Sequence, residues 1–396
     1  MPPLEGLKVI DLTTMVSGPV AGMMLADQGA EVIKIEPLKG ETMRHVRPPL
    51  NGVNPMFFSC NRGKRSLPLD LKAQEGRDIL WKLIEQADVL IQNFRPGAMD
   101  RMGFSEEAMM KLNEKLIYVS ISGFGDKGPY AQKRVYDPVI QALSGAADIQ
   151  SIRETGEPRM FRLIIADKIT SVTTAQAIST ALYAREKNGK GQHIKISMLD
   201  CLLSLFWPEA MSGLTYEQMD VDPNRSLAAM DPIFKTRDRW ITACAVADVE
   251  WQGLCRALGR PELAEDDRFR TTLARYENAE ERRDLMAEEI AKWSSEELMA
   301  RMDAEGVPCA PALTRDELLD HEQILANDSI QRITLEGFGE VRQAKPAAEF
   351  SGTPTAPFTP APKLGEDTRD ILGELGFTPD DIDDLLGRNV TLEVKE

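Results

Sequence analysis

The sequence predicts an α/β protein, with a large domain built around a parallel sheet and a second, smaller domain after it. Three observations carry this prediction. Over roughly the first 200 residues, β-rich apolar runs alternate with helix-period segments, the order expected when crossover helices join parallel strands. Around Asp222-Pro223-Asn224 the pattern shifts, and the stretch to Pro311 is mainly helical, with charge-rich segments at 278–289 and 295–305. Prolines at 346, 354, 357, 360 and 362 then make an extended connector, and short acidic helical patterns at 367–375 and 380–386 close the chain.

Taken in order, the opening reads as a β-α-β unit. Residues 8–12 are a β-rich apolar run, Gly18-Pro19 opens a helix, and 30–35 supplies a second strand. A helix over 73–87 feeds a strand at 88–92, and a helix over 105–113 feeds a strand at 116–122. A long helix begins just past Asp167, with Ile169, Val172, Ala175, Ile178 and Leu182 on its apolar face. Arg185 and Lys187 followed by Asn188-Gly189 give that helix a basic last turn and a C-cap. A strand at 192–197 and a helix from Met198 follow at once.

Composition narrows the chemistry. With 47 basic against 63 acidic side chains the net charge is −16, which repels a nucleic-acid backbone and leaves any anionic ligand dependent on a local basic pocket. No run approaches the ~20 apolar residues of a membrane span, and residues 1–6 have neither a basic nor an apolar leader region, so a cytoplasmic protein is expected. The cysteines Cys60, Cys201, Cys244, Cys255 and Cys309 form no CxxC pair, the pattern of free thiols in a reducing compartment, and no metal is expected. The histidines His45, His193 and His321 show no nucleophile or zinc spacing, and His193 reads as a strand-surface residue. Chemistry at neutral pH must then rest on carboxylates, hydroxyls or thiols.

Several strings could hold a ligand. The first turn, Thr13-Thr14-Met15-Val16-Ser17-Gly18-Pro19, lacks the close-set glycines of a dinucleotide fold, although Glu36 ends the second strand where a ribose would be gripped. Gly123-Phe124-Gly125-Asp126-Lys127-Gly128 follows a strand, but Pro129-Tyr130 comes next and no helix pattern starts there, so an NAD-dependent oxidoreductase lacks its expected setting. The basic cluster Asn61-Arg62-Gly63-Lys64-Arg65-Ser66 reads as a solvated loop and helix start. Asn93-Phe94-Arg95-Pro96-Gly97 stands at the C-terminal end of a parallel strand, where ligands of open α/β sheets bind. Asp167, directly before a helix, is in the ordinary position of an N-cap; helix-start amides there would lower its pKa and also stabilise an oxyanion formed nearby.

Leu4-Glu5-Gly6-Leu7-Lys8-Val9-Ile10-Asp11 and Gly29-Ala30-Glu31-Val32-Ile33-Lys34-Ile35-Glu36-Pro37 near the start, with the loops at 61–72 and 93–103, form an ordered set of strings. Gly189-Lys190-Gly191-Gln192, Gly306-Val307-Pro308-Cys309-Ala310-Pro311 and Leu364-Gly365-Glu366-Asp367-Thr368 extend it. In order and spacing this set resembles the family III CoA-transferases, which include formyl-CoA transferase and carnitine CoA-transferase, over nearly the whole chain.

The resemblance implies a large Rossmann-like domain over 1–200, completed by 345–396, and a small α+β domain over 225–320. Linkers at 201–224 and 321–344 would join them, in an interlocked homodimer. It implies a CoA-transferase with coenzyme A as co-substrate and no metal, acting on an acyl-CoA and a small carboxylic acid, with succinate or another short dicarboxylate expected. Asp167 falls on the family's catalytic aspartate. Met15, Val16, Ser17, Leu69, Lys72, Asn93, Phe94, Arg101, Arg134 and Met198 fall on its CoA-contacting positions. Three departures stand out. Residues 227–234 contain no glycine where the formyl-CoA branch has a glycine-rich loop, which argues against oxalate. Arg134-Val135-Tyr136-Asp137 lacks the histidine that α-methylacyl-CoA racemases of the same fold pair with an aspartate. Asp367 stands where the last signature usually has histidine.

Overall fold

The computed structural model describes residues 1–46, 54–152, 154–217, 232–335 and 339–394. The glycine-free loop at 227–234 lies mostly outside the described residues. The chain divides into two compact units, Met1–Phe206 with Gln331–Glu396, and Trp207–Ile330.

The first unit alternates strands and helices: β1 (Lys8–Asp11), α1 (Ser17–Asp27), β2 (Glu31–Glu36), α2 (Pro55–Asn61), β3 (Lys64–Pro68), α3 (Gln74–Gln86) and β4 (Val89–Gln92). Then come α4 (Ala98–Arg101), α5 (Glu106–Leu112), β5 (Ile117–Ser122), α6 (Asp137–Leu143), α7 (Ala146–Ile149), α8 (Ile165–Asn188), β6 (Gln192–Ser197) and α9 (Met198–Phe206). The six strands form one wholly parallel sheet in the order β3-β2-β1-β4-β5-β6. Chain order reverses between β1 and β4, and a crevice opens beyond the carboxyl ends of these two strands.

Both faces of the sheet are covered, which explains its near-continuous apolar strands. Ile10, Ile33 and Leu90 pack with Ile79, Leu83 and Met109 on one face; Val9, Val32, Val89 and Val119 pack with Leu25, Ile178 and Leu182 on the other. Neighbouring strand residues thus serve opposite layers, as the pleat requires.

The second unit contains β7 (Ile233–Lys235), β8 (Trp240–Ala243), α10 (Asp248–Ala257), α11 (Thr272–Glu277), α12 (Ala279–Ile290), α13 (Ser295–Ala304), β9 (Cys309–Pro311) and α14 (Glu322–Ala326). Its antiparallel sheet runs β7-β8-β9, and its core holds Phe234, Ile241, Trp251, Leu254, Phe269 and Leu298. β10 (Ile330–Leu335) and β11 (Gly339–Ala344) pair within the stretch expected to be plain linker. The chain end returns with α15 (Thr368–Glu374) and α16 (Pro379–Gly387), and Thr391 Oγ1 donates to the carbonyl of Pro68 at 2.6 Å. Asp367 supports the sheet, since its carboxylate accepts the N–H of Ser66 at 2.8 Å and so satisfies an edge of β3.

Three sequence expectations are corrected. The cluster at 61–66 is not a solvated loop: Asn61, Lys64 and Ser66 are buried, and residues 64–68 form β3 at the edge of the parallel sheet. Charge concealed the strand, because Lys64 turns inward to meet Asp11 Oδ2 at 2.7 Å, with Pro19 O and Asn61 Oδ1 both at 2.8 Å. Burial by itself would raise the pKa of Asp11, but Lys64 and Lys34 outweigh it and hold the carboxyl down to about 2. The long helix starts earlier than expected, at Ile165, so Asp167 is its third residue and not its cap.

The buried face of α8 also differs. It carries Ala166, Thr170, Ser171, Thr174, Ile178, Ala181 and Leu182, while Val172 is about half exposed, at 51%. Thr170 and Ser171 can be buried because their hydroxyls donate to the carbonyls of Ala166 and Asp167, at 2.7 and 2.8 Å. Lys64→Met would leave Asp11 charged and unpaired in the core. We expect this substitution to cost about 3–5 kcal/mol, read as a lowered denaturant midpoint.

Candidate active site

The loop between β1 and α1 lies at the crevice and is held from below by buried charge. Asp11 Oδ1 accepts both the N–H and the hydroxyl of Thr13, at 2.8 and 2.5 Å. Lys34 donates to Thr13 O at 2.9 Å and pairs with Glu41 at 3.0 Å; the other Glu41 oxygen accepts the N–H of Met15 at 2.8 Å. Met15 sits at φ +69°, a left-handed conformation that a non-glycine residue keeps only when its surroundings hold it there. Gly18 is required one turn on, since a Cβ there would lie 2.3 Å from Thr13 Cβ.

From β4, Asn93 closes the crevice floor. Its side chain accepts from Thr14 N at 3.0 Å and donates to Thr14 O at 2.8 Å, joining the loops that follow β1 and β4.

Asp167 enters from the first turn of α8. Its own N–H donates to Asp137 Oδ2 at 3.1 Å, so the first residue of α6 does the capping that no side chain at Ile164 performs. Asp137 is buried and its other oxygen accepts from Gln141 Nε2 at 2.5 Å. The carboxylate of Asp167 is partly buried and is hydrogen-bonded by the hydroxyl and the backbone N–H of Ser17, at the start of α1. Burial, reinforced by the neighbouring charge of Asp137, outweighs Ser17 and Lys168 and raises the Asp167 pKa to about 6. The lowering expected from helix-start amides is therefore overruled by desolvation.

A cavity of about 470 Å3 brings together Met15, Ser17, Asn93, Phe94, Arg134, Met198 and Asp167. It does not take in Val16, Leu69, Lys72 or Arg101. Val16 and Leu69 are core side chains at 2% exposure each, and only their backbone could face a ligand. Lys72 and Arg101 are exposed and do not reach its lining. Arg95, from the loop expected to suit a ligand, lines the wall; residues given no role beforehand are Lys133 and Tyr136 in the wall, and the supports Glu41 and Asp137 behind it. Lys133 adjoins a string visible in the sequence; the roles of Glu41 and Asp137 arise from contacts across the fold and leave no local signal. No carboxylate pairs with Arg95, Lys133 or Arg134 among the described residues, though Lys133 lies 3.9 Å over the Tyr130 ring, so three cations without an acidic partner stand around one recessed carboxylate.

Two alternatives lose their footing. Glu36 is buried and bound by Arg44 through both oxygens at 2.7 Å, leaving nothing for a ribose. His193 stacks on Tyr118 at 4.3 Å between ring centroids and meets Ser120 Oγ at 2.8 Å and Glu106 at 2.7 Å, tying edge strand β6 to β5 and α5. Among the described residues no cluster of three or more His, Cys, Asp or Glu could hold a metal, and no helix is long and apolar enough to cross a membrane.

Comparison with known proteins agrees with this architecture. The chain is 33% identical over 384 residues, 94% of its length and 96% of the other's, to a succinate–glutarate CoA-transferase of Agrobacterium fabrum. It is 32% identical over 403 residues, 96% and 97% of the two lengths, to a formyl-CoA:oxalate CoA-transferase of Streptomyces coelicolor. Among solved structures, a CaiB/BaiF family protein from Brucella suis superposes with a TM-score of 0.80 at 33% identity, covering 94% of this chain and 99% of that one. The sequence profile of CoA-transferase family III matches residues 4–368, and the chain belongs to that family.

Proposed function

We propose that this protein transfers coenzyme A from an acyl-CoA donor to a small carboxylic acid, with Asp167 as a covalent relay. The observation that carries the reading is a single partly buried carboxylate, raised to a pKa of about 6 and facing a cavity ringed by cations without an acidic partner. A pKa of about 6 leaves roughly nine-tenths of the groups ionised at pH 7, with higher basicity than an ordinary aspartate. Arg95, Lys133 and Arg134 would neutralise the phosphates of the coenzyme, offsetting an overall charge of −16.

The chemistry then balances without a base. An Asp167 oxygen attacks the donor thioester carbonyl, the C–S bond breaks, and a mixed anhydride and CoA thiolate result. The thiolate attacks the aspartyl carbonyl and expels the donor carboxylate, leaving an aspartyl-CoA thioester. An acceptor carboxylate attacks that thioester, and the thiolate released takes the acyl group from the second anhydride, restoring Asp167. No step moves a proton, consistent with a cavity whose lining holds no histidine. The N–H of Ser17 at the start of α1 is aimed at this carboxylate, which itself lies in the first turn of α8, and such helix starts favour oxyanions formed beside them.

Short dicarboxylates such as succinate are the proposed acids, in keeping with the name of the Agrobacterium relative. The protein is proposed to act as an interlocked homodimer, with 201–224 and 321–344 as linkers. Exposed apolar side chains on α6 and α8, among them Leu143, Val172 and Tyr183, suit a subunit contact.

Asp167→Asn should lower transfer by at least about a thousandfold while CoA affinity stays close to normal. Trapping with hydroxylamine during turnover should modify Asp167 in the parent protein; product formation without any such modification would refute the relay. The same substitution should stabilise the fold. Burial disfavours the ionised form, so the parent loses stability as pH rises from about 4 to about 6, and Asn escapes that loss. We expect a gain of about 2–3 kcal/mol at pH 8 that vanishes near pH 4, measured by denaturant unfolding. The kcat/KM profile should fall on the acid side with an apparent pKa near 6. Ser17→Ala, which removes one hydrogen bond to the ionised form, should move that limb to higher pH.

A further inference from the structure

The second unit contains a cavity of about 580 Å3 that the transfer chemistry does not use. Its walls come from β7, the end of β8 and the residues after it, α11 and α12, with Phe234, Ala245, Leu273, Tyr276 and Met286 supplying apolar surface. Arg275, Arg282 and Arg283 also reach the lining, and among the described residues no aspartate or glutamate does. Such a wall, mostly hydrocarbon with a few polar groups of one sign, is the composition of a small-ligand pocket.

The arginines are not equivalent. Arg275 is fully buried and already bound, to Phe269 O at 3.0 Å, Val246 O at 2.9 Å and Asp248 Oδ1 at 2.7 Å. Burial, with repulsion from Arg275 added, lowers the pKa of Arg282, which is engaged in an interaction of its own. Arg283 is half-buried, and its Nε, like those of Arg275 and Arg282, is buried without a hydrogen-bond partner among the described residues. No carboxylate pairs with Arg283 among the described residues; on α12, Glu281 pairs instead with Arg268, and Glu289 with Arg260 and Lys292. An arginine that only laid its stem along the surface would keep that N–H in water, whereas this one is shut off from it.

We propose that this cavity binds a small organic monoanion, a carboxylate carried on a short apolar body. Its carboxylate accepts from Arg283, and its hydrocarbon part lies against Leu273, Tyr276 and Met286. A single available guanidinium in an apolar wall matches one negative charge. A polyphosphate or a dianion would bring charge that the lining leaves unpaired.

Cys244 supplies a reporter, since it lines this cavity and is exposed, while Cys60, Cys201 and Cys255 are buried. The experiment follows modification of the intact protein by the neutral reagent 4,4′-dithiodipyridine, with the labelled cysteine identified by mass spectrometry. Hexanoate is the test ligand and 1-hexanol its uncharged counterpart. Hexanoate should slow labelling of Cys244 saturably, hexanol should protect far less, and Arg283→Gln should raise the half-protecting hexanoate concentration at least about tenfold. Three results would each overturn the proposal: no protection at millimolar hexanoate, equal protection by hexanol, or unchanged protection in a folded R283Q protein. None of these readouts depends on Asp167, and the measurement can be repeated in the Asp167→Asn protein.

Discussion

The first unit is organised around charge buried where the carboxyl end of β1 meets Lys34 of β2 and Lys64 at the start of β3. Asp11 with Lys64, and Lys34 with Glu41, occupy a region closed to water, where an unpaired ion would be far more costly than a surface one. These groups are held by hydrogen bonds to Thr13, Pro19, Asn61 and Met15 as well as by their ion pairs. That network fixes the loop after β1 in a conformation its sequence would not choose, with Met15 at positive φ. Ser17 follows two residues later, and Ser17 holds the carboxylate of Asp167. Rigidity made by paired charge in the core is thus passed to the one group on which the proposed chemistry turns.

Asp167 illustrates how opposing effects are settled by magnitude. Two helix starts and two hydrogen bonds from Ser17 favour its charged form, yet desolvation and Asp137 prevail and leave its pKa near 6. The outcome suits a nucleophile. A carboxylate held near pKa ~2 would be fully ionised but poorly basic, and one raised above about 8 would be mostly protonated at neutral pH. Stability is given up to reach this intermediate value, as is common where a site must hold a reactive group out of water.

The distribution of cations reconciles an acidic chain with a polyanionic co-substrate. Many basic side chains here are paired, in the core with Asp11, Glu36 and Glu41 and on the surface with a range of partners. Arg95, Lys133 and Arg134 are left unpaired around one cavity, and Arg283 around another. Net charge governs solubility and long-range encounter, but binding is decided by which few charges stand around a cavity without an acidic partner.

The sequence alone determined the alternation of strands and helices, since apolar periodicity and the capping residues Ser105, Asn188 and Gly189 act locally. It also determined the family resemblance and the position of Asp167, because those rest on strings of residues in order. Only the tertiary structure decided that Lys64 lies in a strand and not in a solvated loop, because its reason is Asp11, 53 residues earlier. The same holds for the pKa of Asp167, set by burial and by Asp137 from another helix, and for the hydroxyl-lined face of α8. A sequence specifies what each residue can pair with; which pairs are made out of reach of water is a property of the folded chain.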